Sequence, residues 1–440
     1  MLAAAGASVG LGNIWRFPYL AAKYGGGIFL IIYIVLALTF GYTMIVAETA
    51  IGRMTRKSPV GAFKSFGKKK WLSFGGWINA VIPVLIVPYY SVIGGWVIKY
   101  LVEYFRGNAK LLAEDGYFTD FISNGVSAEL CFVAFCAFTL IIIFAGVQNG
   151  IERVSKIMMP ILIILSVIIA VYSVTRPGAL AGVKYFLVPN VKNFSWMTVV
   201  SAMGQMFYSL SIAMGILITF GSYMKKDTAI EDSTRNVEIF DTGIAIMAGL
   251  MIIPAVFAFS GGDPDTLQAG PSLMFITIPK VFQNMGFGTV IGIVFFVLVL
   301  FAAVTSSIAL TESAVSTFED ELGWGRKKAT VLVGVIMLAL GSLSSLGYGP
   351  LAGIKIIGMQ FLDLFDFLTN SVMMPIAALI TSLLVSRVVG IDKIEEEIIH
   401  GESAFRRKKV FVVMIKYLCP VFAIIILLSS VANALGWIKM

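Results

Sequence analysis

Histidine occurs once in these 440 residues, as His400 in a charged stretch, and cysteine three times, as Cys131, Cys136 and Cys419 within or beside apolar runs. Neither a disulfide framework nor a His/Cys metal cluster can be assembled from that set. Charge is scarce as well, at 13%, where a soluble domain carries roughly a quarter. With hydrophobic residues at 58%, a water-soluble fold has too little polar surface to cover its apolar mass. No nucleophile-and-base constellation stands out either, so the sequence offers no case for an enzyme.

What fills the chain instead is a series of apolar stretches of roughly 20 residues, the length of a helix crossing about 30 Å of hydrocarbon. Eleven spans are predicted, at 1–22, 28–52, 76–106, 128–147, 152–175, 197–224, 235–260, 285–318, 328–346, 351–386 and 407–435. The fold class is all-α integral membrane, with lipid as the main solvent and no soluble domain between spans. Of the 33 Lys and Arg, 22 fall in 53–70, 148–156, 225–235, 326–328 and 387–416, all on one side of this topology. The positive-inside rule then places the N-terminus in the cytoplasm and, after an odd number of spans, the C-terminus outside. The net charge of +8 has this juxtamembrane origin and implies no nucleic-acid partner. The first stretch lacks a basic n-region and contains Arg16-Phe17-Pro18, so it does not read as a cleavable signal peptide.

Two spans are interrupted in a similar way. Span 1 places Gly6, Gly10 and Gly12 ahead of Pro18, and span 6 places Ser209, Ser211 and Gly215 near its middle. Glycine loosens a helix, and a backbone group left unpaired in hydrocarbon costs several kcal/mol unless protein or a ligand satisfies it. If spans 1–5 and 6–10 are two inverted halves, with helices 1 and 6 discontinuous and span 11 appended, the breaks mark a transporter's midplane site. Close helix packing through small residues is the other reading of the same pattern.

The run Gly10-Leu11-Gly12-Asn13-Ile14-Trp15-Arg16-Phe17-Pro18, followed by Gly25-Gly26-Gly27, resembles the signature of the neurotransmitter:sodium symporter family. Glu48 with Gly52-Arg53, Tyr89-Tyr90 with Trp96, Gln205 to Ser211, Thr305-Ser306-Ser307 and Glu319-Asp320-Glu321 extend the match over spans 1 to 10. The resemblance implies a single transporter domain that carries a small neutral amino acid across the cell membrane together with sodium. An amino-acid-binding sensor on the same scaffold is the alternative. By resemblance, one sodium ion is held by the Ser8 carbonyl, Asn13, Ser209 and Asp241 with the substrate carboxylate. A second is held by the carbonyls of Gly6, Val9 and Ala302 and the hydroxyls of Thr305 and Ser306. Hard oxygens suit a hard cation. Without the family, Thr305-Ser306-Ser307 reads as interhelical hydrogen bonding.

For the substrate, the resemblance implies Gly10 and Gly12 at its backbone, Tyr90 on its carboxylate and Tyr208 as the cover. Ile86, Ser211, Met214, Ser307 and Leu310 form the side-chain subsite, and none of them could pair with a charged group. Arg16 and Asp366 match an outer gate, Tyr223 and Asp320 part of an inner one, and Glu48 a carboxylate supporting the unwound part of span 6. Lys99 and Glu103 read as a helix-end pair. Ala213 replaces a glycine of the family, and the sequence begins at Met1 inside the first span, without the Arg and Trp that precede it in the family, so that either the start is truncated or closure of the inner gate is weakened. Asp241 stands where chloride-dependent members carry Asn, which implies transport without chloride. Read alone, Asp241 could instead be a solvated residue near a helix start.

Overall fold

The computed structural model describes residues 9–260 and 272–434. Among these residues the chain is helical throughout, with two isolated β-bridges and no strand. Nine helices are long and apolar enough to cross a membrane: α2 (Gly27–Thr55), α3 (Lys70–Phe105), α4 (Gly125–Phe144), α5 (Gly150–Val174), α7 (Ile230–Ser260), α8 (Gly288–Leu322), α9 (Arg326–Leu346), α10 (Phe361–Val389) and α11 (Lys408–Asn433). Two further apolar segments, at the positions predicted for spans 1 and 6, are shorter. One is α1, over 12–23, and the other is split into α6a (Trp196–Ser209) and α6b (Ile216–Tyr223).

Burial sorts these helices into centre and rim. In α3, 78% of the most apolar window is buried against other helices, and in α8 72%, whereas in α11 the share is 33%. Lipid can solvate apolar side chains, so a rim helix stays hydrophobic on its outer face. α3 and α8 pack along each other, α6b lies on α2, and α5 lies on α7. Of the two broken segments, α6b also touches α8, and α1 lies on α7.

Several expected boundaries move. Span 3 begins at Lys70 rather than 76, and span 7 at Ile230 rather than 235, because a helix continues into water where hydropathy no longer marks it. Span 10 was expected from 351, yet 347–360 form turns, with Ile357 at φ 54°, and the helix starts at Phe361. Leu351 to Ile357 are apolar enough to imitate a span while covering the protein's own surface.

Short helices and loops tie the ends together. The buried Arg53 at the end of α2 donates to Glu397 Oε1 at 2.6 Å and to the Thr228 carbonyl at 2.5 Å, which pins the helix Ile391–Ile399 across α2 and α7. At the other end of the molecule Tyr100 donates to the Phe275 carbonyl at 2.7 Å and holds the short apolar helix 273–283 in place. Lys99 pairs with Glu103 at 2.8 Å, one helical turn on, as their spacing suggests.

Candidate functional site

The interruption of α6 is built by backbone that a continuous helix cannot contain. Between Ser209 and Ile216, Ser211, Ala213 and Gly215 have φ of 54°, 59° and 70°. Each non-glycine residue in this left-handed region costs about 1–2 kcal/mol, so something must hold the turn. The Ala213 N–H donates to Glu48 Oε1 at 2.8 Å, from a carboxylate that α2 buries completely. Gly215 is required for a second reason: a Cβ there would lie 2.7 Å from Pro59 Cγ and 2.8 Å from the Asn79 carbonyl oxygen. Gly215→Ala is expected to lower the melting temperature in detergent by several degrees, from about 2 kcal/mol of strain or more. Ala213→Gly should leave it unchanged or raise it. Equal melting temperatures for Gly215→Ala and wild type would show that the loop relaxes freely.

Opposite this loop, α1 opens in a π-helical turn over Gly12–Arg16, a distortion common at functional sites. Asn13 Nδ2 donates to Asp241 Oδ1 at 2.8 Å, while its Oδ1 accepts from the Gly10 N–H at 3.1 Å. Ser209, the last residue of α6a, donates to the same Asp241 oxygen at 2.6 Å. Tyr33 of α2 donates to Asp241 Oδ2 at 2.7 Å. Asp241 is fully buried and is the twelfth residue of α7, about 17 Å along the helix. That overturns the reading of Asp241 as a solvated helix-start residue. Three donors converge on the carboxylate, the pattern of an ionised, acceptor-only group.

A second oxygen cluster joins α1 to α8. The Val9 carbonyl accepts from Thr305 Oγ1 at 3.4 Å and Ser306 Oγ at 3.3 Å, and the Ala302 carbonyl accepts from Thr305 at 3.1 Å. The approach is close because residue 10 has no side chain. A Cβ on Gly10 would lie 2.5 Å from Ser306 Oγ and 3.2 Å from the Tyr90 hydroxyl. This cluster is made of neutral oxygens, and the Asn13–Ser209–Asp241 cluster includes a carboxylate. Both donor sets fit a hard monovalent cation. Gly6 and Ser8, also expected here, lie outside the described residues.

Between the two clusters is a cavity of about 30 Å³ lined by both breaks, with Gly10, Gly12, Ile86, Tyr90, Tyr208, Ser211, Met214 and Leu310 on its walls. Tyr90 accepts from the Leu11 N–H at 3.2 Å. The Tyr208 ring lies against Gly12, where a Cβ would come within 2.4 Å of it. Gln205 Nε2 donates to the Gly12 carbonyl at 3.0 Å and props the open turn. Leu11, Ile216 and Ser306 also line the cavity and were not among the expected substrate contacts. Ser307 was expected there and is absent from the walls; its hydroxyl lies 3.2 Å from Thr139 Oγ1 on α4. Adjacent helical residues point about 100° apart, and here Ser306 faces the cavity while Ser307 turns towards α4.

The four residues expected at the gates are not joined to one another in the expected pairs. Tyr208 lies between the cavity and a vestibule of about 390 Å³ that is also lined by Arg16 and Asp366. Arg16 lies over the Tyr208 ring at 5.3 Å, whereas Asp366 accepts from Tyr89 at 3.2 Å and Asn370 at 2.5 Å. No ion pair joins Arg16 to Asp366 among the described residues. At the end of α6b Tyr223 donates to Glu312 at 2.8 Å rather than to Asp320. Arg326 grips the same Glu312 at 2.5 and 3.0 Å, and Asp320 accepts from the Ser58 N–H at 2.6 Å. Glu312 and Arg326 were missed, although a carboxylate inside an apolar helix is itself a signal.

Two half-helices facing each other across a buried cavity, flanked by two oxygen clusters, define a helical membrane protein built around a midplane site of the secondary-transporter kind. The chain belongs to the sodium:neurotransmitter symporter family, whose model matches residues 1–115 and 117–437. It is 34% identical over 435 residues to an uncharacterized sodium-dependent transporter of Bacillus subtilis, covering 98% of this chain and 96% of that protein. A sodium- and chloride-dependent GABA transporter 2 of Homo sapiens is 26% identical over 463 residues, covering 90% of this chain and 73% of that one. Among solved structures, MhsT in complex with L-phenylalanine matches with a TM-score of 0.87 at 35% identity, covering 98% of this chain and 97% of MhsT.

Proposed function

We propose that this protein is a sodium-coupled symporter of neutral amino acids that works by alternating access in the cytoplasmic membrane. The observation that carries the reading is the convergence of Asn13, Ser209 and Asp241 on one side of the cavity, and of Val9, Ala302, Thr305 and Ser306 on the other. Each cluster takes one sodium ion as a co-substrate, with the Gly6 and Ser8 carbonyls completing the two sets. The sodium-dependent relative in Bacillus subtilis and the L-phenylalanine bound by MhsT support the choice of cation and of substrate class.

The substrate carboxylate is oriented by the Tyr90 hydroxyl and the opened backbone at Leu11 and Gly12. Its side chain enters the apolar space between Ile86, Met214 and Leu310, where an unpaired charge would be costly to bury. Tyr208, Arg16 and Asp366 close the outer route. Tyr223 and Asp320 belong to the inner one, each through its own partner, and Glu48 holds the α6 loop that both routes share. The chain is one transporter domain of eleven spans: a first repeat over 1–175, an inverted second repeat over 197–386, and helix 11 over 407–435. The N-terminus faces the cytoplasm and the C-terminus faces outward, in keeping with the distribution of Lys and Arg.

Counterflow in proteoliposomes separates transport from binding alone. Vesicles preloaded with unlabelled substrate are expected to accumulate labelled substrate transiently in sodium buffer. Saturable binding with no transient would leave the protein a sensor on this scaffold.

A further inference from the structure

We propose that the groove between the start of α4 and the end of α9 binds a membrane phospholipid whose headgroup carries a primary ammonium. The groove has a volume of about 480 Å³, and its walls include Val126, Leu130 and Val133 of α4 with Leu346 at the end of α9 and Pro350 beyond it. Val126 and Leu130 are 73% and 67% exposed and point out of the helix bundle. The 20 residues of α4 are about 30 Å long, the thickness of the hydrocarbon layer. Its first turn therefore lies at one membrane face, and bilayer lipid is what fills an outward groove at that depth.

One wall residue is ionisable. Glu129 lies four residues inside α4, about 6 Å below the helix start, and lines the groove. Ser342 of α9 donates to its Oε1, and its Oε2 has no hydrogen-bond partner. No Lys, Arg or His pairs with it among the described residues. An ionisable side chain at a lipid-facing position is costly unless something compensates it, and here the protein supplies one hydroxyl. The groove is rigid at its mouth: a Cβ on Gly125 would touch Pro350 at 3.1 Å, and one on Gly349 would lie 2.5 Å from the Ser123 carbonyl oxygen.

The chemistry of the wall selects the headgroup. A carboxylate only accepts hydrogen bonds and favours a cationic donor. A primary ammonium offers three N–H groups, a choline headgroup none, and a glycerol headgroup leaves the phosphate charge unbalanced beside Glu129. Oε2 is covered by neighbouring atoms, so the half-buried side chain rotates off α9 to meet the ammonium, and the acyl chain lies along Val126, Leu130 and Val133.

The test is lipid retention by the full-length protein, measured by native mass spectrometry after reconstitution with equal amounts of ethanolamine, choline and glycerol phospholipids of identical acyl chains. Retention of the ethanolamine lipid is expected to exceed that of the other two by about tenfold, as a charge-assisted hydrogen bond allows. It should fall stepwise through the N-methylated series as N–H groups are lost. Glu129→Gln should erase the preference, and Ser342→Ala, which frees Oε1, should keep it. Equal retention of ethanolamine and choline lipids by the wild type would overturn the proposal, as would an undiminished preference in Glu129→Gln. If Glu129→Gln does not fold, the N-methylated series on the wild type decides alone. Disulfide dimers of Leu130→Cys in lipid bilayers would assign the groove to a second copy of the chain and overturn it equally.

Discussion

The Asp241→Asn chain is expected to lose at least nine-tenths of its uptake when gluconate replaces chloride and to recover part of it when chloride returns, while the wild type is indifferent to the exchange. The expectation rests on charge balance at a buried site. Two unit charges 4 Å apart interact with about 4 kcal/mol at an effective dielectric constant of about 20, so cations bound near each other need a nearby negative charge. Asp241 supplies one that is fixed in the protein, fully buried, and held by Asn13, Ser209 and Tyr33. The family resemblance implies an asparagine at that position in chloride-dependent members, and the human GABA transporter 2 carries chloride dependence in its name. An amide keeps the shape and removes the charge. A wild type that stops without chloride would show that Asp241 does not perform this role.

Thr305→Ala and Asn13→Ala are each expected to raise the sodium concentration for half-maximal substrate binding by about tenfold or more, the scale of one lost interaction with a charged group. The two variants act on different clusters. Thr305 Oγ1 lies 3.1 Å from the Ala302 carbonyl and 3.4 Å from the Val9 carbonyl, in a site whose oxygens are all neutral. Thr305 is only 3% exposed, so water cannot easily take the place of the lost hydroxyl. Asn13 bridges Gly10 to Asp241, and alanine there removes both a ligand oxygen and a donor that orients the carboxylate. Thr305→Ser keeps the oxygen and should titrate like the wild type. Sodium titration of substrate binding is the readout, and two curves superimposed on the wild type would remove both clusters from the mechanism.

Much of this site is legible in the sequence because its parts are exceptional for a membrane helix. Glycines in a tight series, an amide at Asn13 and a carboxylate at Glu48 are expensive in hydrocarbon, so they mark where backbone is opened and polar groups are gathered. Tyr33 is not legible in this way, since a tyrosine in an apolar run has the pattern of core packing until its hydroxyl is seen on Asp241. The choice between Ser306 and Ser307 depends on the rotation of α8, which a run of three hydroxyl residues leaves undefined. The contacts of Tyr223 differ for another reason: α8 carries Glu312, Glu319, Asp320 and Glu321, and Arg326 at the start of α9, which holds Glu312 and reaches Glu319 at 3.7 Å, favours Glu312 over Asp320 as its partner. Hydropathy placed eight of the nine long helices to within about six residues and missed the start of the ninth, α10, where apolar turns at 351–357 imitate a helix.

The central claim is that sodium drives a neutral amino acid across the membrane. Its most direct test is the uptake of a panel of labelled amino acids by proteoliposomes under an inward sodium gradient, repeated with choline in place of sodium. Aliphatic or aromatic neutral amino acids are expected to accumulate in sodium and not in choline, and lysine, arginine, aspartate and glutamate in neither. Accumulation that persists in choline, or strong uptake of a charged amino acid, would contradict it.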